Sequence, residues 1–184
     1  GITINEFGNM ISAPNSHTWF GGTYTHSLTN DNWTSTSVIG LDFDSGEYSV
    51  TETIEKLKTN GINPQLWYSS FSSTTEHPKY RIVLFLDQPI TNYEHREMVY
   101  KGLLNIVPHA DHSCKNASRI FFGGKEAVIL HSDPISTQSL IDSTGIAVIT
   151  GDKGRSRYIP KGLNSNYYGE NGEFLSSTNR NYPF

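Results

Sequence analysis

Residues 80–86 read Tyr-Arg-Ile-Val-Leu-Phe-Leu, a β-favouring run, so the segment reads as a strongly apolar strand. Asp87-Gln88-Pro89 closes it. Ser37–Phe43 has the same β-branched and apolar character and ends at Asp44-Ser45-Gly46, a turn signal. Pro64–Ser69 reads as a further strand between these two. Ser49 followed by Glu52 is a capping-box pattern, and Val50, Ile54 and Leu57 share a helical face before Asn60-Gly61 stops the run. A second helix starts at Thr91 or Asn92, carries Met98, Val99, Leu103 and Ile106 inward, and ends before Pro108. Two last β segments, Arg119–Phe122 and Ala127–Leu130, are joined by Gly123-Gly124 as a hairpin. The order is β-α-β-β-α-β: an α+β fold with a ferredoxin-like or RRM-like sheet, an added hairpin, and one face open for a site. In such a sheet the last strand commonly lies beside the first.

A chain of 184 residues with 35% hydrophobic and 17% charged side chains is expected to form one folded domain. Its core spans about residues 36–131. Residues 1–35 are an N-terminal covering segment, and 132–184, rich near the end in Gly, Asn, Ser and Tyr, a C-terminal covering segment or linker. No stretch is long and apolar enough to cross a bilayer, and the first residues lack the pattern of a signal peptide, so a cytoplasmic location is expected. The single cysteine, Cys114, rules out an internal disulfide. A net charge of −4 argues against a domain that coats nucleic acid by bulk electrostatics. Positive charge is instead local: Lys79, Arg81, Lys115, Arg119 and Lys125 lie around the motifs that follow.

On a strand, Asp42 and Asp44 project from one side while Leu41 and Phe43 enter the core. Two adjacent carboxylates repel unless a cation neutralises them, and hard oxygen ligands suit Mg²⁺ or Mn²⁺. Two solvated aspartates at a strand end are the plainer alternative. Asp111, between the second helix and the last strands, can join them if the last strand lies beside the first. Three carboxylates are able to hold the two ions that nucleotidyl transfer uses. His109, His112 and Cys114 are zinc-ligand types close in sequence, but no second pair at zinc-site spacing accompanies them.

Residues 36–126 resemble the archaeo-eukaryotic primase superfamily, especially primase-polymerases of plasmids, phages and mobile elements. The resemblance is carried by Ile39-Gly40-Leu41-Asp42-Phe43-Asp44, by the central segment Tyr68–Arg81, and by Asp111 followed by Ala117-Ser118-Arg119-Ile120-Phe121-Phe122, three motifs in order. It implies that Asp42, Asp44 and Asp111 are catalytic metal ligands for Mg²⁺ or Mn²⁺. Members of the family usually carry a small-x-His motif at the end of the second strand. Here position 71 is Phe and position 73 is Ser, while Thr75-Glu76-His77 fits the wording a few residues later. His77 either contacts a triphosphate or is a plain loop histidine.

Arg81 opens an apolar strand and needs an anion or the open face; a triphosphate serves, and so does a salt bridge. Arg119 has the same logic, contacting phosphate or holding Asp111. Ser72 and Ser73 can donate to phosphate oxygens or simply form a turn. Lys125 is in reach of a phosphate or solvated, and Trp67, Tyr68 and Phe71 stack on a base or fill core. The implied activity is a template-dependent DNA primase and polymerase acting on nucleoside triphosphates, with a single-stranded DNA template and a primer. No Gly-rich phosphate loop with Lys is present, so a helicase would lie outside this chain, in a longer replication protein. Alanine at Asp42 or Asp44 is expected to abolish incorporation and leave the fold intact. The other readings are a catalytically weak nucleotide- or single-stranded-DNA-binding module, motivated by Phe71, and a metal-dependent nuclease.

Overall fold

A computed structural model describes residues 2–151. In chain order the elements are α1 (Ile4–Ile11), β1 (Gly22–Tyr24), β2 (Trp33–Phe43), α2 (Val50–Thr59), β3 (Leu66–Ser69), β4 (Tyr80–Ile90), α3 (Tyr93–Ile106), β5 (Ala127–Ile129) and α4 (Thr137–Gly151). The five strands form one antiparallel sheet in the order β1-β2-β4-β3-β5. The mixed α/β class and the β-α-β-β-α core are those expected from the sequence.

The apolar run of residues 80–86 sits at the centre of the sheet, between β2 and β3, with Ile82, Val83 and Leu84 fully buried. The strand continues past the expected stop to Ile90 because the ladder with β2 is broken between Thr36 and Val38, which accommodates Pro89. On one face of the sheet Ile39, Leu41, Phe43, Tyr80, Ile82 and Leu84 meet the helices α2, α3 and α4. On the other face α1 packs over β5 and Phe85, and Trp19 stacks on Phe121 above Gly40. Gly40 has to be glycine there: a Cβ would stand 2.7 Å from the Phe121 ring and 2.8 Å from the Trp19 ring.

The end of the core departs from expectation. β5 pairs with β3, on the edge far from β2, so the last strand does not lie beside the first. Residues 119–122 are not a sheet strand; Phe121 exchanges backbone hydrogen bonds with Trp19 alone, at 2.8 and 2.9 Å. Gly123-Gly124 makes no hairpin, since neither has the positive φ such a turn needs. The two glycines serve close approach instead: a Cβ on Gly123 would fall 2.5 Å from the Ile11 carbonyl oxygen, and one on Gly124 2.0 Å from that of Ser69. The N-terminal covering segment thus contributes a helix, a strand and the Trp19 bridge. The expected C-terminal covering segment begins with α4, which packs on α3; residues 152–184 lie outside the described part. Among the described residues no helix is long and apolar enough to cross a membrane.

Candidate functional site

Asp42 lies one residue from the end of β2, on the face that carries Gly40, directly opposite Arg81 of β4. β1 pairs only with the first part of β2, so the outer edge of β2 is bare at Asp42. Its backbone polar groups need partners there. The loop after α3 supplies both: the Asp111 N–H donates to the Asp42 carbonyl at 2.7 Å, and the Asp42 N–H donates to Cys114 Sγ at 3.3 Å. Asp111 therefore arrives by docking of a loop on a free strand edge, not by strand pairing.

Two arginines bind the Asp42 side chain, which is 2% exposed. Arg81 Nε stands 3.1 Å from Oδ1, and Arg81 Nη2 donates to Oδ2 at 3.2 Å. Arg119 Nη2 donates to the same Oδ2 at 3.1 Å and to Asp111 Oδ2 at 3.2 Å, so one guanidinium joins the two carboxylates. The Arg81 Nε contact is not aligned as a hydrogen bond, which leaves Asp42 Oδ1 buried without an aligned donor. Burial raises the pKa of Asp42, Arg81 opposes that, and the like charge of Asp44 adds to the rise. For Arg81 burial works against charge but the Asp42 carboxylate outweighs it. Asp111 is also partly buried, yet the hydroxyl and N–H of Ser113, with Arg119, hold its carboxyl below the ordinary value.

Asp44 lies just past the strand end with its side chain half exposed, 3.9 Å from Lys79 Nζ. It is near enough to influence Asp42. The loop of residues 70–79 folds back onto this turn: His77 Nε2 is 3.1 Å from the Asp44 carbonyl oxygen, and its ring fills the space over Gly46, whose φ is +72°. Within the loop, Ser73 Oγ accepts from the Lys79 N–H, and the Ser73 carbonyl accepts from Lys125 Nζ at 2.7 Å. Ser72 is exposed, its hydroxyl 3.2 Å from that of Ser70.

The structure thus draws Asp42, Asp111, Arg81 and Arg119 into one cluster and sets Asp44, His77 and Lys79 beside it. Ser73 spends its hydroxyl on its own loop. Both terminal nitrogens of Arg81 donate hydrogen bonds, Nη2 to Asp42 and Nη1 to the Phe122 carbonyl at 3.1 Å, while Nε meets Asp42 only as an ion pair. Arg119 is more accessible, its side chain 31% exposed. Among the described residues no three His, Cys, Asp or Glu side chains converge closely enough to surround an ion. His109, His112 and Cys114 do not meet: His109 stacks on Tyr48 and bonds Thr53 Oγ1, His112 is exposed, and the Cys114 thiol is buried with its pKa pushed up to about 12. Tyr68 is core, fully buried beneath Arg81, with its hydroxyl donating to the Phe122 carbonyl and accepting from Trp19 Nε1. Trp67 is half-buried and Phe71 exposed. Sequence reasoning missed Cys114 and Ser113 as supports of the acidic pair; both lie within three residues of Asp111, but a backbone contact leaves no compositional signal.

No family model matches the chain, and no curated protein sequence matches it. Among solved structures, it is similar in fold to the AEP domain of the cyanophage S-2L primase-polymerase (PrimPol), with a TM-score of 0.52, 12% identity, and cover of 78% of this chain and 77% of that one.

Proposed function

We propose that the chain is the catalytic domain of a template-dependent DNA primase-polymerase, joining nucleoside triphosphates on single-stranded DNA. The observation that carries this reading is the Asp42–Arg119–Asp111 bridge, built where a strand end meets a docked loop, in a fold like that of a primase-polymerase domain. The donor chemistry fits Mg²⁺ or Mn²⁺: three hard carboxylates, one of them with a buried oxygen that lacks an aligned donor. Asp42, Asp44 and Asp111 would hold the ions, whose chemistry is to activate the attacking hydroxyl and offset charge on the leaving phosphates. Arg119 stands between two of these ligands and Lys79 near the third, so both cations must give way and become free for phosphate oxygens. Arg119, Lys79 and His77 would then grip the triphosphate. Arg81, buried and with both terminal nitrogens bonded, keeps the Asp42 carboxylate oriented and acts as a positioning residue.

The test is primer synthesis and extension on a single-stranded DNA template with Mn²⁺ or Mg²⁺, comparing the native chain with Asp44→Asn and Asp111→Asn. Product from the native chain and at least a ~100-fold loss in both variants, with unchanged melting temperatures, is expected if these carboxylates stabilise developing charge. Undiminished incorporation by the variants would sink the assignment. Nucleotide affinity without product would support the binding-module reading, which Phe71 in place of the motif histidine favours; DNA breakdown without added nucleotides would mean a nuclease.

A further inference from the structure

Three residues follow Arg119 in alternation. Phe121 is 3% exposed and stacked on Trp19 at 4.6 Å, while Ile120 and Phe122 on either side of it are 43% and 65% exposed. A lone exposed apolar side chain needs no explanation, but Phe122 differs in how firmly its base is fixed. Its carbonyl accepts two hydrogen bonds from the sheet, one from Tyr68 Oη at 2.8 Å and one from Arg81 Nη1 at 3.1 Å. The next residue, Gly123, is buried with no room for even a Cβ. The backbone at Phe122 is thus held by the same arginine that holds Asp42, and the ring is left to solvent. An aromatic surface presented from a rigid base can bind at little cost in conformational entropy.

The surroundings indicate what it would bind. Arg119, three residues away, bridges Asp42 and Asp111, Lys79 lies 3.9 Å from Asp44 Oδ1, and Lys125 donates to the Ser73 carbonyl in the loop of residues 70–79. Cations at and near a residue whose backbone is held and whose ring is exposed match a ligand that is anionic at one end and aromatic at the other. We infer that Phe122 is the stacking platform for the base of the nucleotide whose triphosphate the cationic cluster holds. This rests on the nucleotide-transfer reading above. Every base has a π face, so such a platform tolerates all four and adds affinity without selecting among them.

The experiment is calorimetric binding by the full chain, in Mn²⁺, of each nucleoside triphosphate, of inorganic tripolyphosphate and of an oligothymidylate. The proteins are the native chain and Phe122→Ala, Phe122→Leu and Phe122→Tyr. Phe122→Ala and Phe122→Leu should weaken all four nucleotides about 5- to 160-fold, the range of one base-aromatic stack, and leave tripolyphosphate affinity unchanged. Phe122→Tyr should restore nucleotide affinity, which a loss of mere bulk or folding would not explain. Nucleotide affinity equal in native and Phe122→Ala chains, with tripolyphosphate bound, overturns the role of Phe122 and leaves the enzyme reading standing. A variant that weakens only the oligothymidylate also overturns it, because the ring would then serve the template. A native chain that binds neither nucleotide nor tripolyphosphate overturns both.

Discussion

Asp42 and Arg81 face each other across β2 and β4 in nearly complete burial, and each is expensive without the other. Removing one member of a buried pair leaves an uncompensated charge, at a cost of about 3–5 kcal/mol. Arg81→Met should therefore lose roughly that much stability in urea unfolding, even though methionine packs well; a change below ~1 kcal/mol would mean that Arg119 alone satisfies Asp42. The same geometry argues against the expectation that Asp42→Ala leaves the fold intact, since it would leave Arg81 buried without its carboxylate, while Arg119 keeps Asp111. Asp44, half exposed, and Asp111, whose charge is met partly by Ser113, are the cleaner positions for testing chemistry. Asp42 and Arg81 were legible in the sequence as unusual residues on apolar strands. That they answer one another was not, because the alignment of β2 with β4 is set by packing across the sheet.

At the scale of elements, local signals are legible in the sequence and long-range ones are not. Ser49 and Glu52 make the capping box expected for α2, with the Ser49 hydroxyl accepting from the Glu52 N–H at 3.3 Å. Thr3 and Glu6 make an equivalent box at α1, inside the segment that the sequence reads only as covering. The fate of residues 119–124 was hidden because their partners, Ser12 and Trp19, lie about a hundred positions earlier and two glycines suit a close approach as well as a turn. The loop that carries Asp111 is tied to α2 through His109, whose Nε2 is 2.8 Å from Thr53 Oγ1, which in turn bonds Tyr80. Burial lowers the pKa of His109, Lys56 lowers it further, and Glu47 and Glu52 oppose. A depressed histidine pKa means that the unfolded chain takes up the proton first. Its contribution is thus present above the ordinary histidine value of about 6.5 and is lost as pH falls below it. Between roughly pH 7.5 and 5.5 the native melting temperature should fall faster than that of His109→Gln. Parallel slopes would count against a neutral His109.

For the whole molecule, a net charge of −4 and a small set of cations at one site predict weak, local engagement of nucleic acid. With no nucleotide bound, Arg119, Lys79 and Lys125 would displace about 0.7 counterions each from a single strand, giving a slope near −2 for log affinity against log salt. A slope steeper than about −5 would require an extended basic face elsewhere and would contradict the local picture. The short β1 has a further effect. Because it leaves the edge of β2 bare at Asp42, the acidic pair exists only while the loop of residues 107–119 is seated, and the Asp111 amide proton is sealed in that seam. Its solvent exchange should be as slow as that of the neighbouring strand amides if the seam opens only with the sheet, and faster if the loop lifts alone. One amide resonance would then record how often the acidic pair comes apart, without any turnover being measured.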